Sequence, residues 1–184
     1  EFLARGADCE GIQLVCFGPN SADPHHSGDA TVLKPGDSII FDIFTPISRY
    51  WCDMTRTVFY RSVSAEQREV YEVVKAANLA GLAAVAPGVP LKEIDAAARR
   101  VIEGAGYGQY FTHRLGHGIG LDVHEPPDCS ATSTAIARPG MCFSIEPGIY
   151  LPGRWGVRIE DLVVVTEDGV EVLNHYPKEL QVVG

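Results

Sequence analysis

Apolar and polar positions fall in blocks along this chain, and their period changes from block to block. An apolar run over 12–17 ends in "GPNSADPHHSGD", where Pro, Asn, Asp and Gly supply turn geometry. "KPGD" predicts a turn, a strand over about 38–44 follows, and "TPIS" predicts a second turn. A longer strand is predicted over about 50–60. The period then lengthens. Ser64 with Gln67 makes a capping box, and Val70, Val73, Val74, Ala77 and Leu82 follow near helical spacing up to "PGVP". A second helix is predicted over about 91–103, stopped by Gly104 and Gly106. After a glycine-rich stretch, "ARPG" turns into a strand over about 141–150. "LPGRW" turns again, a strand covers about 156–166, and "EDG" makes a last hairpin turn. Strands and helices come in separate runs, which favours an α+β fold over βαβ winding.

Composition narrows the function. The chain has 184 residues, 46% of them hydrophobic and 21% charged, which predicts one domain over 1–184 with a core of its own. Its net charge of −9 argues against nucleic acid and anionic membrane as partners. Clustered carboxylates could instead hold cations. The five cysteines are odd in number and form no CxxC pair. This argues against a disulfide framework or a thiolate zinc site, and for a reduced, cytoplasmic location. No apolar run approaches the roughly 20 residues of a membrane span, and no signal peptide is visible. The chain opens without Met on "EFLARGADCEGIQLV", already close to a strand pattern, so an N-terminally truncated domain is expected.

The strand pairs place carboxylates in a suggestive way. Folded symmetrically about Ile47 and Ser48, the first hairpin sets Asp42 opposite Asp53; folded about Gly153, the second sets Glu146 opposite Glu160. Like charges directly opposite each other destabilise a sheet, and a buried carboxylate needs a partner, a proton or a metal. Arg56 and Arg158 could pair with them as structural ion pairs. The alternative is a metal site. "HRLGHGIGLDVHE" carries His113, His117 and His124 among three glycines, which argue against a helix and permit close backbone approach. Four carboxylates and one imidazole could hold two divalent ions about 3.5–4 Å apart, an arrangement that activates water. Mostly oxygen ligands suit Mn²⁺, with Co²⁺ or Zn²⁺ also possible.

Five blocks, "GPNSADPHH", "FDIFTPISRYWCDMTRTV", "HRLGHGIGLDVHE", "SIEPGIY" and "GVRIEDLVVV", resemble in order the pita-bread metallopeptidases. The similarity is to the Xaa-Pro dipeptidase (prolidase) and aminopeptidase P branch. It implies the creatinase/aminopeptidase fold, a curved antiparallel sheet with helices on its outer face, and upstream helices and an N-terminal domain absent from this chain. It implies metal ligation by Asp42, Asp53, His117, Glu146 and Glu160, with Asp53 and Glu160 bridging. It gives Glu146 the proton transfer and His124 the substrate carbonyl. It places His25, rather than His26, near the scissile bond and His113 beside the proline pocket, and makes Arg158 a brace for the ligand Glu residues. The implied reaction is hydrolysis of the peptide bond preceding proline, with a proline-containing peptide as partner and a homodimer as the full-length assembly. Methionine aminopeptidase-like chemistry and a catalytically silent binding module are the alternatives. His175 matches nothing and is expected at the surface. Phe44 stands where the family commonly has Gly, which alters the hairpin tip.

Overall fold

The computed structural model describes residues 1–9 and 11–184. Strands β1 (Ile12–Phe17), β2 (Ser38–Ile47) and β3 (Tyr50–Tyr60) form an antiparallel sheet in chain order. Ser48 and Arg49 turn the β2–β3 hairpin at φ +51° and +69°, the left-handed pair that a two-residue hairpin loop requires. Ile47 therefore pairs with Tyr50, Asp42 faces Thr55, and Asp53 faces Phe44. The expected Asp42–Asp53 opposition is thus off by two residues. An even shift keeps the side chains on the same face, so both carboxylates still point one way. The turn expected at "TPIS" is strand instead, because Pro46, paired with Trp51, sits past the end of the β1 register at Phe44. Its missing N–H breaks no ladder bond there.

Helix α1 (Ala65–Ala84) starts as expected. The Gln67 amide donates to Ser64 Oγ at 3.1 Å, and the Ser64 amide donates to Gln67 Oε1 at 2.9 Å. Its buried side includes Val70, Tyr71, Val74, Ala77 and Leu82, and packs against α2 (Leu91–Gly104). From α2, Asp95 Oδ1 accepts from the Leu115 amide at 3.1 Å, and Arg99 donates to the carbonyls of Phe111 and His113. These bonds fix the approach to the glycine-rich stretch.

That stretch holds β4 (Gly116–Gly118), not a helix; β5 (Glu125–Cys129) follows it. The strands expected over 141–150 and 156–166 each break in two, giving β6 (Cys142–Ile145), β7 (Gly148–Leu151), β8 (Trp155–Arg158) and β9 (Asp161–Val165). The register is the same on both sides of the break, with Ile145 opposite Asp161 and Gly148 opposite Arg158. Glu146 and Glu160 occupy the interruption itself, beside Pro147, which has no N–H to give a ladder. Short strands β10 (Val170–Val172) and β11 (Val182–Val183) complete the fold. The second sheet runs β10-β9-β6-β4-β5, β7 pairs with β8, and β11 joins β3 in parallel, the one exception to antiparallel pairing among the described strands. The sheets curl around a cavity. The helices cover the outer face, where Asn78 of α1 donates to the Ile145 carbonyl at 3.0 Å.

Candidate metal centre

All five residues expected as ligands line one cavity of about 680 Å³, together with His25, His113, His124 and Arg158. They arrive from separate elements: Asp42 from β2, Asp53 from β3, His117 from β4, Glu146 and Glu160 from the paired strand breaks. Ligand atoms of Asp53, His117 and Glu160 lie within 4.8 Å of one another, and all three residues are buried. Gly116 makes this approach possible, because a Cβ there would overlap the Ser144 carbonyl. His117 then donates its amide to Ser144 Oγ at 3.0 Å, and Ser144 Oγ donates to Glu146 Oε1 at 3.0 Å.

The electrostatics favour cations. Burial, reinforced by Asp42 and Glu146, pushes Asp53 up to about 9. Burial pushes Glu146 up to about 7, and burial with the Asp53 charge raises Glu160 well above the carboxylate range. Without positive charge these groups hold protons. Burial lowers His117 to about 4, so its ring is neutral. Its Nδ1 lies 3.0 Å from the Gly118 carbonyl, which accepts the ring N–H and leaves Nε2 with a free lone pair. That nitrogen sits 3.3 Å from Glu146 Oε1. Asp42 Oδ1 and Asp53 Oδ1 are buried without a hydrogen-bond partner among the described residues. A cluster of oxygen acceptors with one neutral imidazole, two of its carboxylate oxygens without a partner among the described residues, fits divalent ions.

Arg158 is 4% exposed. It bonds Asp42 directly, Nη2 to Oδ2 at 2.7 Å, and reaches Glu160 through Thr55. Thr55 Oγ1 accepts from Arg158 Nε at 3.2 Å and donates to Glu160 Oε2 at 2.7 Å. His113 lies in the cavity wall, but both ring nitrogens have partners inside the protein. Nδ1 faces the Arg114 carbonyl at 2.7 Å and must donate to it, so Nε2 accepts from Tyr150 Oη at 2.9 Å. Tyr150 Oη in turn accepts from Arg158 Nη1 at 3.0 Å. Burial keeps His113 down at about 4. Its ring can offer the cavity a surface but no free nitrogen.

His124 is exposed to the cavity, its ring 4.2 Å from that of His117 in edge-on contact, and burial with Arg114 lowers its pKa. His25 is exposed and lines the cavity, whereas His26 turns to Asp29 at 3.2 Å. His175 is exposed. Phe44 forms part of the cavity wall, its ring centroid 6.2 Å from that of Trp51. Sequence reasoning missed Thr55, Ser144 and Tyr150. Thr55 and Ser144 had a signal: each lies two residues from a candidate ligand carboxylate, and alternate strand residues share a face.

A curled antiparallel sheet gathers carboxylates and imidazoles around one cavity, the donor set of a metal-binding scaffold. The chain belongs to metallopeptidase family M24, whose model matches residues 1–167. It is 46% identical to an Xaa-Pro dipeptidase of Lactobacillus helveticus over 92% of this chain and 46% of that protein. Among solved structures, dipeptidase PepE from Mycobacterium ulcerans superposes with TM-score 0.96 at 46% identity, covering 98% of this chain and 49% of that one. The X-Pro aminopeptidase from Thermotoga maritima superposes at 0.94 with 38% identity, covering 98% and 52%. The chain therefore spans about half the length of the relatives it matches. The expected pita-bread fold and peptidase family both hold. No helix among the described residues is long and apolar enough to cross a membrane.

Proposed function

We propose that the protein containing this chain hydrolyses the peptide bond preceding proline, using two divalent ions held by Asp42, Asp53, His117, Glu146 and Glu160. The observation that carries this reading is the convergence of those five side chains on one cavity with no competing cation but Arg158 and Arg114 in its lining. When bound, divalent ions supply Lewis acidity toward a carbonyl and make water more acidic. Mn²⁺ is the proposed ion, since four of the five ligands are carboxylates. Co²⁺ and Zn²⁺ are the alternatives.

The chain's own groups do the rest. Glu146 is less deeply buried than Asp53 or Glu160, and is steadied by Ser144. It takes a proton from the attacking water and passes it to the proline nitrogen, which lacks an N–H and is a poor leaving group unprotonated. His124, neutral and open to the cavity, donates to the oxygen on which charge develops. His25 faces the same space and positions substrate. Arg158 anchors the Asp42 carboxylate and, through Tyr150, fixes the tautomer of His113. The surface of His113, edge-on to Phe111, forms an apolar wall suited to a proline ring.

The test is cleavage of an Xaa-Pro dipeptide and an Xaa-Pro-Yaa tripeptide by the full-length, Mn²⁺-loaded protein, with and without chelator. Chelator-sensitive cleavage is expected, and the preferred length names the dipeptidase or aminopeptidase reaction. Two bound ions with neither substrate cut would overturn proline specificity. It would favour another amide substrate or a silent binding module.

A further inference from the structure

Asp53 lies on β3 and Glu160 in the break before β9, and the backbone near each leaves a polar group without a strand partner. Asp53 faces Phe44 across a non-bonded pair, so its own N–H and C=O point away from β2. On that far side β11 covers β3 only at Phe59 and Tyr60. Leu162, two residues after Glu160, directs its N–H past the end of β10. One side chain serves both. Asn174 Nδ2 donates to the Asp53 carbonyl at 3.0 Å, and Asn174 Oδ1 accepts from the Leu162 amide at 2.5 Å. The two partners fix the orientation of the amide, since a carbonyl needs a donor and an N–H an acceptor.

The segment carrying Asn174 is itself tied down on both sides. Leu173 donates its amide to the Leu162 carbonyl at 2.9 Å. Beyond it, Arg56 donates to the Tyr176 carbonyl at 2.9 Å and to the Glu160 carbonyl at 2.5 Å. Arg56 and Lys178 both pair with the fully buried Asp161 at 2.8 Å. Asn174 thus has a firm base from which to link β3 to β9.

We propose that Asn174 is a positioning residue for the metal pair: it clips the backbone at Asp53 to the backbone beyond Glu160 and so sets the separation of the two carboxylates. This rests on the two-metal reading above. Metal centres tolerate errors of only about 0.5 Å in their ligands, and loss of a supporting hydrogen bond typically costs about 10–100-fold in metal affinity.

The experiment uses the full-length protein, stripped with chelator and titrated with Mn²⁺. The variants are Asn174→Leu, which keeps volume but no hydrogen bond, and Asn174→Asp, which keeps the acceptor for Leu162 but loses the donor to Asp53. Both should bind the second ion about 10–100-fold more weakly. Both should also lose the magnetic coupling that paired Mn²⁺ ions show in electron paramagnetic resonance. His175→Ala, at the exposed next position, should change neither. If Asn174→Leu does not fold, Asn174→Asp carries the test alone. A lower melting temperature with two ions bound at wild-type affinity would mean that Asn174 only satisfies strand ends, and overturns the clip. A wild-type protein that binds fewer than two ions overturns the two-metal reading itself.

Discussion

At the scale of single residues, the candidate site separates groups that would hold metal from groups that would meet substrate. His124 is the sharpest case, because it opens to the cavity and has no bonded role in the ligand network. His124→Ala should leave Mn²⁺ uptake intact while kcat falls about 10²–10³-fold, the cost of losing one oxyanion donor. Calorimetric titration alongside steady-state kinetics checks both halves; lost metal binding would make His124 a ligand instead. The ligand candidates were legible because each lies in a short, distinctive block such as "GHGIG" or "RIED". The hydrogen bonding of His113 was not. What occupies its Nε2 is Tyr150, 37 residues away in sequence, and no local pattern shows that bond. The Arg158–Asp42 bond is hidden for the same reason, since the two residues lie 116 positions apart.

At the scale of elements, the geometry depends on where strands stop. The two long strands expected from alternation each break at a candidate ligand, and the break lets Glu146 and Glu160 leave the ladder and turn into the cavity. Alternation alone cannot show such a break, although Pro147 marks it in the first strand. The helices were the most legible part, because the Ser64 capping box and glycine stops act locally. The β2–β3 register was off by two, because the turn residues Ser48 and Arg49 adopt positive φ without the glycine or asparagine that would announce it. The face of Asp42 and Asp53 survived, since the error was even. Element packing also sets a test. Gly116→Ala would drive a methyl group into the Ser144 carbonyl and push β4 from β6. It should lower the melting temperature and weaken Mn²⁺ binding together, through displaced His117. An unchanged metal isotherm would contradict the close packing of these strands.

At the scale of the whole molecule, the site is a store of raised carboxylate pKa values, and these link metal, pH and stability. A carboxylate raised on folding holds a proton that the unfolded chain releases, so its contribution is complete at low pH and fades as pH climbs to the folded value. For Asp53 that range runs from about 3.8 to about 9, and for Glu146 from about 4.5 to about 7. His113 and His117 act oppositely, costing stability as pH falls below 6.5 toward about 4. Below 6.5 the two effects oppose each other; above it only the carboxylates act. The metal-free protein should therefore lose stability between about pH 6.5 and 9, and Mn²⁺ should abolish the loss by taking the place of the protons. Urea midpoints across that range, with and without Mn²⁺, read this directly. A flat profile without metal would contradict the clustering of charge.

The most direct test of the two-metal account is a metal count on the full-length protein, stripped with chelator and titrated with Mn²⁺, beside Asp53→Ala. Two ions per chain are expected in the wild type, with Asp53→Ala losing the paired binding and proline-bond cleavage together. A wild type that saturates with one ion or none, or an Asp53→Ala variant that still binds two, would contradict it.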